Sequence, residues 1–236
     1  MGKNKLARFE EMKGFEHVVQ PVTKEFINKK HPLAGNWAKH FFKNNHPIVL
    51  ELGCGKGEYT VNLAKQYPEK NFLGVDVKGA RMWRGALTAR QENLQNVGFL
   101  RMRIELINSF FNTDEISEIW ITFPDPQLKR RRAKNRLTSS KFLNHYSEFL
   151  KKDGIIHLKT DSDALYAYTL SVIQINNLPL IFHNSDIYNT PEIDPLLTSI
   201  QTHYEKLFKN EGQNITYIKF QLNGKKKLVE PIDPEE

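Results

Sequence analysis

Residues 48–57 read I-V-L-E-L-G-C-G-K-G. A compact apolar run passes there into three glycines, Gly53, Gly55 and Gly57, and then into a helical pattern over 58–66. Strand, glycine loop and helix in that order open a parallel α/β arrangement. N-F-L-G-V-D-V at 71–77 reads as a second strand ending on an acid, Asp76, with an Arg- and Ala-rich helix after it over 79–93. Runs at 97–103, 118–123 and 154–160 read as three more strands, with a turn at 152–154 before the last. Helical spacing covers 138–150, where Thr138 is the expected N-cap, and 163–176. A short strand at 180–182, a helix over 195–210 and the alternating run I-T-Y-I-K-F-Q-L at 215–222 follow. This order predicts an α/β fold: a mostly parallel seven-stranded sheet with helices on both faces and an antiparallel edge strand.

In open α/β sheets ligands sit beyond the carboxyl ends of the strands. Those ends here carry the glycine loop, Asp76, Arg103, Asp125 and Asp161, so one rim gathers three acids beside a glycine loop. The loop is not a phosphate-binding P-loop, because Glu58 stands where the second glycine would fall. It also misses the dinucleotide spacing G-x-G-x-x-G by one residue. The pattern E-x-G-x-G-x-G is that of loops that hold S-adenosylmethionine in Rossmann-like methyltransferases. The chemistry agrees: this cofactor has no pyrophosphate but carries an ammonium and a sulfonium, which welcome an acid at Glu51. Asp76, 19 residues after Gly57, suits two ribose hydroxyls. Glu51, Gly53, Gly55, Gly57 and Asp76 are therefore the candidate cofactor residues. The bland reading of Glu51 is a cap on its own loop's amides.

A second stretch carries the charge. Residues 121–136 read I-T-F-P-D-P-Q-L-K-R-R-R-A-K-N-R, with Lys129, Arg130, Arg131, Arg132, Lys134 and Arg136 crowded behind Asp125. Without those six cations, the 34 basic residues would barely outnumber the 27 acidic ones, so most of the net charge of +7 lies in this run. A guanidinium cluster suits a polyphosphate partner. The alternative is a solvated basic loop. The pI of about 9.3 points the same way, towards nucleic acid.

The 236 residues suffice for one large domain. Residues 1–40 read as a basic N-terminal arm with flexible character, 41–223 as the α/β domain and 224–236 as a solvated tail. A short amphipathic helix is expected near 36–43, with Trp37, Phe41 and Phe42 on one side. A single cysteine fits a reducing compartment. Cys54, inside the glycine loop without a fixed base, reads as filler. The eight histidines show no metal spacing, so no metal site is expected. No apolar run approaches the ~18 residues of a membrane span, and the N-terminus lacks the apolar core of a signal peptide. The expected location is cytoplasmic. Nothing in the sequence chooses between a monomer and a homodimer.

The chain resembles the bacterial tRNA (guanine-N7)-methyltransferases, members of the Rossmann-like class I methyltransferases. The resemblance runs over roughly 45–222. It is carried by E-L-G-C-G-K-G at 51–57, G-V-D at 74–76, F-P-D-P at 123–126 with the basic run and Leu137-Thr138, L-K-T-D at 158–161 and T-H-Y-E at 202–205. The F-P-D-P with its basic run and the T-x-Y-E are specific, whereas the glycine loop is generic. The resemblance implies methyl transfer from S-adenosylmethionine to N7 of a guanine in the tRNA variable loop. It implies Glu51 and Asp76 as cofactor contacts, and Asp125 as cofactor neighbour and catalytic residue. Lys129 and Asp161 are implied as substrate contacts, Arg131, Arg132, Lys134 and Arg136 as an RNA-contacting run. Thr202, His203, Tyr204 and Glu205 are implied as the segment closing on the guanine. Two departures stand out. Gln127-Leu128-Lys129-Arg130 replaces the Trp-x-Lys-Lys of many members, which removes a stacking Trp. Arg103 stands where many carry Asp or Asn, so it is the cofactor-side residue of that turn only by position.

Guanine N7 has a lone pair and no hydrogen, so attack on a methyl sulfonium requires no prior deprotonation. The product ring is cationic, and a carboxylate at Asp125 stabilises charge that develops in the transition state. Two other functions remain: an RNA-binding module that has lost turnover, and a methyltransferase for a small molecule or protein. Intact Glu51, Asp76 and Asp125 speak against the first, and the cationic run against the second.

Overall fold

A computed structural model describes residues 3–231. Its core is an eight-stranded sheet in the order β1-β4-β3-β2-β5-β6-β8-β7. The strands are β1 (Val18–Val19), β2 (Ile48–Leu52), β3 (Asn71–Asp76), β4 (Val97–Arg101), β5 (Ile116–Thr122), β6 (Leu150–Thr160), β7 (Leu180–Asn184) and β8 (Thr216–Gln221). Strands β1 to β6 pair in parallel, while β8 runs antiparallel between β6 and β7. Seven strands are those expected. The eighth, β1, is two residues long and too short to leave a periodic signal.

The helices are α1 (Lys3–Lys13), α2 (Glu58–Gln66), α3 (Gly79–Gln91), α4 (Ser140–Tyr146), α5 (Asp163–Ile175), α6 (Leu196–Ser199) and α7 (His203–Asn210). Two apolar cores lie on the two faces of the sheet. α1, α2 and α3 cover one through Met12, Tyr59, Val61 and Met82. A π-helical turn at Trp37–Phe42, α4 and α5 cover the other through Trp37, Phe142, Leu143 and Val172. Every residue of β2 is buried, as a strand covered on both faces requires. Its period of two sends Leu50 and Leu52 into one core and Val49 into the other, so Glu51 shares the face of α2.

Several local expectations change. Helix α4 starts at Ser140, because Ser139 caps it by accepting the Phe142 N–H, while Thr138 is buried in a 2.8 Å hydrogen bond with Thr169. Strand β6 begins at Leu150, and a register irregularity against β5 absorbs the turn expected at 152–154. The single helix expected over 195–210 is broken into α6 and α7. The residues described within 1–40 pack onto the body: α1 lies on α3, Met12 and Phe15 are buried, and the Trp37 Nε1–H donates to the Phe110 carbonyl at 2.7 Å. The stretch after β8 is strapped over α4 and α5. Asn144 and Asn176 hold the backbone of Leu228 and Val229, and Glu230 accepts from Ser140 and Tyr168. Residues 1–2 and 232–236 of the expected arm and tail lie outside the described residues.

Candidate active site

The strand order reverses between β2 and β5, and a cleft of about 560 Å³ opens there at the carboxyl ends. Its size falls in the range of about 300–1,000 Å³ usual for ligand pockets. Glu51, Gly53, Gly55, Lys56, Asp76 and Lys78 line it from β2, β3 and the turns after them. Phe123, Asp125 and Asp161 line it from the turns after β5 and β6, and Thr202, Tyr204 and Phe208 from α7 and its cap.

The glycine loop is fixed by its neighbours. The N–H groups of Gly53 and Cys54 donate to the Val75 carbonyl at 2.8 and 3.1 Å. Asp76 accepts the Gly55 N–H on Oδ2 at 2.9 Å and the Lys78 N–H on Oδ1 at 2.7 Å. One carboxylate thus joins both turns and still faces the cleft. Gly57 has φ of +70°, and a Cβ there would meet the Phe99 ring at 2.7 Å and Gly85 Cα at 3.3 Å. Gly57→Ala is therefore expected to cost about 2–3 kcal/mol, from left-handed backbone strain plus overpacking. Urea unfolding followed by circular dichroism measures this.

Glu51 is buried under the loop. Its Oε2 accepts the Thr60 N–H at 2.8 Å and the Thr60 hydroxyl at 2.5 Å, and its Oε1 accepts the Thr122 hydroxyl at 2.8 Å. Burial pushes its carboxyl up to about 7, against the lowering by those hydrogen bonds. Among the described residues no cation pairs with it. A buried acid with three donors and no counter-cation, open to the cleft, fits a ligand that brings an ammonium. Cys54 is buried and burial pushes its thiol well up, which leaves it inert, in keeping with filler.

Asp125 is exposed at the end of β5, its Oδ1 accepting the Gln127 N–H at 3.0 Å. Two non-glycine residues with positive φ, Phe123 and Gln127, both at +47°, bracket Pro124-Asp125-Pro126. Such conformations persist only where the surroundings impose them. Two ties do so. The Phe123 N–H donates to the Lys159 carbonyl at 2.8 Å, and Arg136 donates from Nε to the Pro126 carbonyl at 3.1 Å and from Nη2 to the Gln127 carbonyl at 3.4 Å. Arg136 also stacks on Tyr168 at 4.2 Å. It ties the Asp125 loop to the body, and its side chain stays partly exposed. Asp161 follows β6 and also lines the cleft, and burial raises its carboxyl above the usual range.

The remaining expected residues divide. Lys129, Arg131, Arg132 and Lys134 are exposed beside the cleft, the last three on a 3₁₀ segment at Arg130–Asn135. Arg103 is also exposed, ion-paired with Glu105 at 3.4 Å and outside the cleft lining, where Ile104 takes its place. Thr202 caps α7, and Tyr204 reaches the cleft with Arg81 over its ring at 5.8 Å. His203 is not part of the cleft lining, but its backbone N–H donates at 3.0 Å to Glu58, which is. Glu205 is completely buried and ion-paired with Lys159 at 2.5 Å, so no carboxylate oxygen is offered to a base. Thr60, Thr122, Arg81, Phe208 and Lys159 escaped the sequence reading. Lys159 and Thr122 had a signal, their places within L-K-T-D and I-T-F-P-D-P.

A doubly wound sheet with a glycine loop after β2, acids after β2's neighbours and the cleft at its switch point defines a Rossmann-like class I methyltransferase. The chain matches the family described as "Putative methyltransferase" over residues 45–218. It is 53% identical to the tRNA (guanine-N(7)-)-methyltransferase of Christiangramia forsetii, over 93% of this chain and 98% of that protein. It is 49% identical to the enzyme of the same name from Bacteroides thetaiotaomicron, over 98% and 90%. Among solved structures, the 30S ribosomal A1408 methyltransferase from an uncultured bacterium shares the fold, with a TM-score of 0.55 at 18% identity, covering 76% of this chain and 89% of that one. The chain belongs to the tRNA (guanine-N7-)-methyltransferase family.

Proposed function

We propose that this chain transfers the methyl group of S-adenosylmethionine to N7 of a guanine in the variable loop of tRNA, as a cytoplasmic enzyme. The observation that carries this reading is the gathering of these groups around one cleft. Buried Glu51 and Asp76 line it from β2 and β3, Asp125 and Asp161 from the ends of β5 and β6, and exposed cations stand beside it. When bound, the cofactor supplies an electrophilic methyl group on a sulfonium.

The protein's own groups do the rest. Glu51 receives the ammonium end and Asp76 the ribose hydroxyls. Tyr204 and Phe208 offer flat walls for a base splayed out of the RNA. Asp161 accepts from guanine N1–H and N2–H₂, which turns N7 towards the cofactor's methyl group. Asp125 stands where the ring's positive charge develops, and its fixed loop means that little reorganisation accompanies the reaction. Arg131, Arg132 and Lys134 neutralise phosphates. Alignment of N7 with the breaking bond supplies much of the remaining acceleration.

The test incubates the protein with unmodified tRNA transcript and methyl-labelled cofactor, digests the RNA and identifies the labelled nucleoside. Label in 7-methylguanosine supports the reading. Salt-sensitive tRNA binding without transfer makes the chain a binding module instead. Label in another nucleoside overturns the role given to Asp125. A triple variant Arg131→Ala/Arg132→Ala/Lys134→Ala is expected to raise the KM for tRNA at least tenfold at 150 mM salt. It should also flatten the slope of log K against log salt by about 2–3, at roughly 0.7–0.9 per lost phosphate contact. Cofactor affinity should stay unchanged; filter binding across salt concentrations and calorimetry check the two halves.

A further inference from the structure

Lys159 is completely buried on β6, two residues before Asp161. Its ammonium contacts Glu205 Oε1 at 2.5 Å and donates to the Tyr59 hydroxyl at 2.8 Å. It also donates to the carbonyls of Leu197 at 2.5 Å and Ile200 at 3.5 Å. Those carbonyls belong to the end of α6 and the break after it, where helix carbonyls lack internal partners. Glu205 works from the other side of the break. Its Oε2 accepts the Thr202 N–H at 3.3 Å while the Thr202 hydroxyl accepts the Glu205 N–H at 3.1 Å, and its Oε1 takes the Tyr188 hydroxyl at 2.7 Å. One ion pair therefore closes the end of α6, caps the start of α7 and pins both to the sheet.

A buried ion pair is weak evidence of stability, since apolar residues of the same volume often serve as well. What it does impose is one arrangement. The segment it fixes brings Thr202, Tyr204 and Phe208 to the cleft, and the backbone carbonyl of the same Lys159 holds Phe123 at the entrance to the Asp125 loop. We propose that the Lys159–Glu205 pair is a positioning latch for methyl transfer: it sets the aromatic wall carried by α7 in register with Asp125 and Asp161, and neither residue touches the base. The inference rests on the reading of the cleft as a guanine-methylating site.

The test compares the wild type with Lys159→Met/Glu205→Gln, which removes both charges and leaves no unpaired one. Melting temperature, cofactor affinity by calorimetry, and kcat and KM with tRNA transcript are measured, with kcat expressed per cofactor-binding site so that unfolded protein does not count. The latch predicts cofactor affinity within about threefold of wild type and kcat lower by about 30-fold or more, since small misplacements of reacting groups are costly in rate. A folded double variant with wild-type kcat per site overturns it. If the double variant does not fold, Tyr188→Phe decides. That change removes one hydrogen bond on Glu205 and no charge, and is expected to lower kcat per site about 3- to 10-fold with little change in melting temperature; an unchanged kcat sinks the latch. A wild-type protein that makes no 7-methylguanosine would bring down the function itself, an outcome separate from either variant result.

Discussion

Asp125→Asn is expected to lower kcat by a factor of about 10²–10³ while leaving cofactor and tRNA affinity within a few-fold of wild type. The substitution is nearly isosteric, and an Asn oxygen can still accept the Gln127 N–H that Asp125 Oδ1 accepts at 3.0 Å. The loop keeps its other ties, from Phe123 to Lys159 and from Arg136 to the carbonyls of Pro126 and Gln127. What disappears is one negative charge beside a ring that becomes cationic only as the methyl group arrives. An interaction made mainly in the transition state appears in kcat, not in binding. Removal of one preorganised electrostatic group of this kind costs about 3–4 kcal/mol of activation free energy. Single-turnover rates with saturating tRNA isolate the chemical step. A rate equal to wild type would remove Asp125 from the chemistry and make Asp161, which also lines the cleft, the next acid to test.

Glu51→Gln should have opposite effects on stability and on cofactor binding. The folded-state pKa of Glu51 is about 7 against an ordinary 4.5, so the folded protein holds this proton more tightly than the unfolded chain does. Stability from this group is therefore fully present below about pH 4.5 and declines as pH rises towards 7. A neutral Gln escapes that decline. Its carbonyl can accept from Thr60, and the Thr122 hydroxyl can turn to accept from its amide. The cofactor-free variant should be more stable than wild type at pH 8 by about 3 kcal/mol, with a difference of about 1 kcal/mol or less at pH 5. Cofactor affinity should fall roughly 10- to 100-fold at pH 8, the loss of a charge-assisted hydrogen bond. In the wild type, affinity should weaken by up to tenfold per pH unit below 7, because an ammonium binds the carboxylate and binding then releases a proton. Denaturation and calorimetry at pH 5 and 8 give both quantities. A variant destabilised at pH 8 would mean that Glu51 is ionised and internally satisfied, without need of a ligand's charge.

The sheet was largely legible in the sequence. β2 to β6 are short apolar runs separated by helical patterns or turn residues, and each of those signals is local. β1 was not, because Val18-Val19 gains its strand character only from pairing with Phe99 and Leu100. The break between α6 and α7 was missed for a related reason. The apolar spacing over 195–210 is continuous, and the interruption is fixed by Lys159, some 40 residues away in the chain. Among site residues, Glu51, Asp76, Asp125 and Asp161 could be read because each stands at a strand end next to glycine, proline or turn residues. Arg136 and Glu205 resemble surface ligands in sequence. Only packing shows that one stacks on Tyr168 while tying its own loop, and that the other is shut inside an ion pair.

The sequence by itself determined the order of strands and helices, the glycine loop, the acids at the strand ends and the concentration of positive charge at 129–136. Spacing and residue type encode all of these within about twenty residues. Tertiary structure alone decided which charges face the cleft and which hold it together. That choice depends on solvent exposure and on partners distant in sequence: Thr60 and Thr122 for Glu51, Gly55 for Asp76, Lys159 for Glu205. A charge in water and a charge with a buried partner obey different electrostatics, and the chain must close before either environment exists.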